Sequence, residues 1–214
     1  MYTLTEAYEI YIDRIDKQGS DFVQLPEFLR HFKSATYDFI GERIPVIEKT
    51  QQIVEDLRTL MTPFKATCIQ DPNDSYAVIA SIPSNCHHLA RVNALYSDGT
   101  SGRRPTFIRQ GNIDPYNASP SKKPAKEYPV ITQYMDYVKI QSGYNDKAEF
   151  AFLTYIAKPT FAGLTQSGNP IVNLNVQAVE DIINKAVVRT MAAKGDPRMQ
   201  SEVYQEQSYR EGQK

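Results

Sequence analysis

The alternation of apolar and polar positions divides the chain into three stretches with different periods. Thr3 and Glu6 form a capping box, and Leu4, Tyr8, Tyr11 and Ile15 then recur at helical spacing, which predicts an amphipathic helix to about Gln18. Gly19 and Ser20 stop it. Pro26 is preset for a first helical turn, and Phe28, Phe32, Ala35 and Phe39 follow on one stripe, widened by Leu29, Thr36 and Ile40. Pro45 disfavours helical backbone at Ile44, so this second helix ends near Arg43. Ile47, Thr50, Val54, Leu57 and Met61 mark a third helix, closed by Pro63, with Glu55 and Asp56 on its solvated face. Residues 1–62 thus read as a small helical bundle, because short helices need one another's apolar faces to be stable in water.

The period then shortens. Thr67 to Ile69 and Tyr76 to Ile82 are β-prone runs joined by the turn-rich Asp71-Pro72-Asn73-Asp74-Ser75, which predicts a hairpin. Arg91 to Tyr96, Thr106 to Gln110, Val130 to Ile140 and Glu149 to Ile156 are further strands, and residues 63–170 read as an antiparallel β domain with a long exposed loop at 112–129. In the last strand Phe150, Phe152, Thr154 and Ile156 take one face while Ala151, Leu153 and Tyr155 take the other, so it belongs in the centre of a sheet. Val176, Val179, Ile182, Ile183, Ala186, Val187 and Met191 restore the helical period, giving a C-terminal helix within 171–195 that returns to the helical unit; Gly195 and Pro197 close it. The remaining 196–214 is a polar tail, disordered or docked on a neighbour. The fold class expected is α+β: an N-terminal helical bundle with a C-terminal helix packed beside an antiparallel β-sandwich or barrel.

Composition narrows the function. At 214 residues, 41% hydrophobic and 23% charged, the chain has the make-up of a globular protein able to bury a core. A net charge of −1 gives no overall attraction to nucleic acid or membrane. No apolar run is long enough to span a bilayer, and Met1-Tyr2-Thr3-Leu4 opens without the basic start of a signal peptide, so a soluble protein made in a reducing cytoplasm is expected. Cys68 and Cys86 are too few for a disulfide framework.

Motifs for phosphate cradling, dinucleotide binding, zinc hydrolysis and the nucleophile elbow are absent from the sequence. Cys86-His87-His88 holds ligand-type side chains, but adjacent residues seldom converge on one ion, a fourth ligand at the usual spacing is missing, and a turn after Pro83 explains them better. A small hydrolase or transferase using His87 or His88 is the enzymatic alternative. His31 sits among large apolar residues of the second helix, a poor setting for a general base. One local charge bias stands out: Arg103, Arg104, Arg109, Lys122, Lys123 and Lys126, a basic surface facing phosphate or an acidic neighbour, or else ordinary solvated loops. A nucleic-acid-binding module using the Arg103 to Lys126 region is therefore a second alternative. Fourteen tyrosines and no tryptophan suit surfaces that become interfaces.

The order of several motifs resembles the head–tail connector or ring (adaptor) proteins of podovirus-like tailed phages, including the crAss-like type. It runs from the helix Thr50-Gln51-Gln52-Ile53-Val54-Glu55-Asp56-Leu57-Arg58-Thr59-Leu60, through Ile82-Pro83-Ser84-Asn85-Cys86, to Tyr128-Pro129-Val130. It continues with Leu153-Thr154-Tyr155-Ile156-Ala157-Lys158-Pro159 and the helix Val179 to Met191 before Asp196-Pro197-Arg198. Asn85-Cys86-His87 departs from the family's Asp and aromatic. The resemblance implies a non-enzymatic subunit of a closed ring of about twelve copies, since repeated heterologous contacts close when each subunit presents two complementary surfaces. It implies as partners other copies of the chain, the portal, adjacent tail or connector proteins and, transiently, packaged double-stranded DNA near the six basic residues. No cofactor, metal, membrane or small-molecule substrate is implied. The site of action would be the virion neck, after synthesis in the host bacterial cytoplasm.

Overall fold

The computed structural model describes residues 1–16, 23–46, 55–102, 105–109, 123–143, 146–161 and 168–194. The fold is mixed α+β, with N-terminal helices, a C-terminal helix and two β-sheets. The chain divides into two compact units, Met1–Thr59 with Pro159–Lys214, and Leu60–Lys158.

The first unit contains α1 (Leu4–Asp16), α2 (Leu25–Arg43) and α3 (Val176–Ala193). The capping box is formed: the Thr3 N–H donates to Glu6 Oε2 at 2.8 Å and the Glu6 N–H to Thr3 Oγ1 at 3.4 Å. The α2 stripe buries Phe28, Phe32, Ala35, Thr36, Phe39 and Ile40, and α3 packs against α1 and α2. The Tyr11 ring packs tilted against Phe28 with centroids 4.7 Å apart, and its hydroxyl lies 2.6 Å from Thr190 Oγ1. Thr190 itself donates to the Ala186 carbonyl at 2.9 Å, so the Tyr11 hydroxyl is the donor of that pair and both buried oxygens are satisfied. The Asn175 side chain caps α3 by accepting from the Ala178 N–H at 2.7 Å. Asn175→Ala should cost about 1 kcal/mol in denaturant-measured stability.

Two expectations for this part of the chain change, and others fall on residues that are not described. Most of the third helix, 47–54, lies outside the described residues, as do the end of α1 beyond Asp16, the closing Gly195 and Pro197, and the tail. Met61 and Pro63, expected as the last turn and the stop of that helix, belong to a strand. Proline is tolerated there because the strand is a sheet edge, where one side of the backbone needs no ladder partner. Asp56, expected on a solvated face, is buried and accepts from Arg43 Nε at 2.9 Å.

The second unit holds β1 (Met61–Thr67), β2 (Ile69–Asp71), β3 (Asp74–Ser81), β4 (Cys86–Tyr96), β5 (Thr106–Phe107), β6 (Val130–Gln133), β7 (Tyr137–Gln141) and β8 (Ala148–Ala157). One sheet has the order β1-β8-β4, the other β2-β3-β7-β6-β5. As its two apolar faces required, β8 is the central strand of the first. Leu89, Val92 and Ala94 of β4, Ala151, Leu153 and Tyr155 of β8, Val78 and Ala80 of β3, Ile131 of β6, and Val138 and Ile140 of β7 form one core shared by both sheets.

Strand boundaries differ from the sequence reading in four places. The run Thr67 to Ile69 is split: Thr67 ends β1 in one sheet and Ile69 opens β2 in the other, where β2 and β3 make the expected hairpin. The run Val130 to Ile140 is two strands, β6 and β7, turning at Tyr134 to Asp136. Cys86-His87-His88 is the start of β4, with only the Cys86 N–H closing a turn onto the Pro83 carbonyl. Of the expected Thr106 to Gln110 strand, Ile108 and Arg109 lie outside β5 and Gln110 outside the described residues, and β5 runs parallel to β6, so the domain is not wholly antiparallel.

Candidate functional site

Of the six basic residues singled out in the sequence, Arg103, Arg104 and Lys122 lie outside the described residues, while Arg109, Lys123 and Lys126 are placed. Arg109 and Lys123 are exposed. Lys126 is half-buried, its ammonium paired with the Asp98 carboxylate and 5.3 Å from the Tyr96 ring centroid. Lys126, with the hydroxyl and N–H of Thr100, holds the Asp98 carboxyl well below the usual carboxylate range. The Lys126 charge is therefore balanced within the fold, and the local field is weaker than a count of basic residues suggests. Gly102 fixes this region: its N–H donates to the Ala94 carbonyl, and a Cβ there would stand 2.7 Å from Pro129 Cγ, so the chain crosses Pro129 only where no side chain intervenes.

Arg109 belongs to a more distinctive feature. β5 pairs with β6 through Thr106 and Val130, and the Ile108 N–H continues the ladder to the Ile131 carbonyl at 2.9 Å. The β6–β7 hairpin is closed by the Tyr134 N–H donating to the Tyr137 carbonyl at 2.9 Å, with the two tyrosine rings stacked at 4.6 Å. Together they form an open groove of about 740 Å³ lined by Phe107, Ile108, Arg109, Gln133, Tyr134 and Met135. Met135 at the tip is 92% exposed and Phe107 48% exposed. Among the described residues the lining is largely apolar and aromatic, with the Arg109 guanidinium, the Gln133 amide and the Tyr134 hydroxyl as its polar groups. Such a surface can seat a partner's apolar side chains.

The histidine and cysteine candidates are spread along strands and a helix. His87 is the extra residue of a β4 bulge and is exposed, whereas His88 is half-buried opposite Ile156. Burial, then the neighbouring His87, pushes the His88 imidazole pKa down, so it is neutral at pH 7. Burial likewise pushes the Cys86 thiol up and the Cys68 thiol up to about 12, which leaves both protonated and poor nucleophiles. His31 on α2 has its pKa lowered mainly by burial. Among the described residues no group of three or more His, Cys, Asp or Glu side chains is placed to hold a metal ion. No described helix is long and apolar enough to cross a membrane.

One ionic cluster locks the β2–β3 turn to β7. Lys139 Nζ lies 3.0 Å from Asp71 and 2.8 Å from Asp74, and Gln141 Nε2 donates to Asp74 at 2.9 Å. The Asn73 N–H, ahead of Lys139, holds the Asp71 carboxyl below its ordinary pKa against the opposing effect of burial. At Asp74 burial works upward but is outweighed by Lys139, the Tyr76 N–H and Gln141, so the net shift is again downward. Groups with depressed folded pKa values stabilise the fold above their unfolded pKa and lose that contribution as pH falls through the folded value. Thermal melts should therefore show the second unit losing stability below about pH 4, and Asp74→Asn should flatten that acid limb.

Neither protein-family models nor curated proteins give a match to this chain.

Proposed function

We propose that this chain is a structural subunit of a virus particle, one copy in a ring that joins the portal to the tail of a podovirus-like, crAss-like-type phage. The observation that carries the reading is the solvent-facing groove and hairpin tip around Phe107, Tyr134 and Met135, which we read as a contact surface. The ordered motifs from Thr50 to Arg198 support the same reading. So does the exposure of Tyr37, Tyr76 and Tyr128, side chains suited to interfaces that are wet on one side. In this reading the two sheets, which share one core, make a β-sandwich that displays the tip to a neighbouring portal or tail protein. Arg109 and Lys123 stand toward the DNA channel, where a weak positive field lets the genome slide. The chain acts in the virion neck after synthesis in the bacterial cytoplasm, and no step of that work requires a bond to be made or broken.

Met135→Asp tests the contact surface. A charge at a 92% exposed tip leaves folding intact, so the melting temperature should stay within a few degrees of the unmodified chain. Co-sedimentation with the portal ring should fall at least about tenfold, because an unpaired carboxylate would be desolvated in the contact. Undiminished binding would remove the tip from the proposed surface.

A further inference from the structure

We infer, building on the ring reading above, that the outer face of the three-stranded sheet is one half of the contact between adjacent copies, and that its occupant is the acidic face of α1 in the next copy. Cross-strand register defines that sheet face. Met61, Pro63, Lys65 and Thr67 of β1 stand beside Ile156, Thr154, Phe152 and Phe150 of β8, which in turn face His88, Arg91, Asn93 and Leu95 of β4. The opposite face, with Leu153, Ala151, Val92 and Ala94, is the buried core.

Two properties set the outer face apart. Away from Ile156, which is itself buried, it carries apolar area in contact with solvent, for Phe152 is 42% exposed and Phe150 and Leu95 are only half-buried. Its formal charges are of one sign, because Lys65 and Arg91 are both exposed and none of the twelve positions is Asp or Glu. Lys65 Nζ lies 3.7 Å from the Phe150 centroid, so the cation is held over the aromatic surface and not spread into solvent. An occupant must then be amphipathic, with carboxylates where it meets Lys65 and Arg91.

The chain itself presents such a surface. Glu6, Glu9, Asp13 and Asp16 are all exposed, and at 100° per residue they fall within roughly 80° of the α1 circumference. That stripe is opposite the buried Ala7, Tyr11 and Ile15. Arg14, the only basic residue within α1, is turned away from it to donate to Asn184 Oδ1 at 2.7 Å. A cationic sheet face and an acidic helix face on one polypeptide are unlike surfaces that meet head to tail, the kind of contact that closes a ring by rotation.

The test exchanges the charges. A Glu9→Lys/Asp16→Lys chain and a Lys65→Glu/Arg91→Glu chain each place like charges together, so each alone should associate at least about tenfold more weakly than the unmodified chain by sedimentation velocity. Mixed in equal amounts they restore both pairings and should recover assembly. Raising the salt from about 0.1 M to about 1 M should weaken the unmodified contact as the screening length falls from about 10 to 3 Å. Either variant alone assembling like the unmodified chain, or a mixture failing to recover, overturns this contact while leaving the ring reading in place. An unmodified chain that stays monomeric at every concentration also overturns it, since the two faces then do not bind each other. The ring reading is decided separately by the copy number in particles.

Discussion

Replacing Arg43 with alanine should cost about 3 to 5 kcal/mol, a large part of the stability of an ordinary domain. Arg43 ends α2, donates through Nε to Asp56 at 2.9 Å and through Nη2 to Asp181 at 3.3 Å, and lies with its guanidinium carbon 3.3 Å from the Phe39 ring centroid. Asp181 is half-exposed and loses less when its partner goes. Asp56 is 4% exposed, and its carboxylate would be left in a desolvated site without its guanidinium. The cycle with Asp56→Ala separates these effects: the double variant should lose clearly less than the sum of the two single variants. A loss below about 1 kcal/mol for Arg43→Ala in guanidinium unfolding would mean that water or other groups around the Asp56 carboxylate replace the guanidinium.

Leu153→Ala should be equally damaging to the other unit. Leu153 is 1% exposed in the central strand, between Phe64 of β1 and Val92 of β4, and belongs to the core that both sheets share. Truncating it removes transfer free energy and leaves a cavity, for about 2 to 5 kcal/mol. Its neighbour gives the control. Phe152 is the larger side chain but lies on the outer face, so Phe152→Ala should cost clearly less despite removing more atoms. Equal losses at the two positions would contradict the assignment of inner and outer faces, whereas a large loss at Leu153 alone supports it.

The contrast between these sites shows what the sequence made legible. The helical stripes and the centre of β8 were readable because burial there follows local periodicity: every third or fourth residue of α2, every second residue of β8 from Ala151 to Tyr155. Asp56 was not readable, because its burial depends on Arg43, thirteen residues earlier in the chain. Met61 and Pro63 continued a helical pattern and carried a helix stop, yet pairing with β8 nearly a hundred residues later makes them strand. Asp136 was the signal that Val130 to Ile140 turns, being a residue that strands disfavour and turns accept.

The basic segment illustrates the same limit at the candidate site. Six basic residues suggested a positive surface, but Lys126 is matched by Asp98, a partner that local sequence could not nominate. The groove gathers 107–109 and 133–135 by a parallel pairing of a kind that no periodicity announces. Its exposed Met135 was hidden inside what read as one continuous strand.

The claim that this chain builds a ring in a virion neck is tested most directly by counting it in purified phage particles, with quantitative mass spectrometry against the portal as internal standard. The account predicts about one copy per portal subunit, roughly twelve per particle, with electron cryomicroscopy placing the chain as a ring next to the portal. Particles that lack the chain, while it accumulates unassembled in the infected cell, would contradict it.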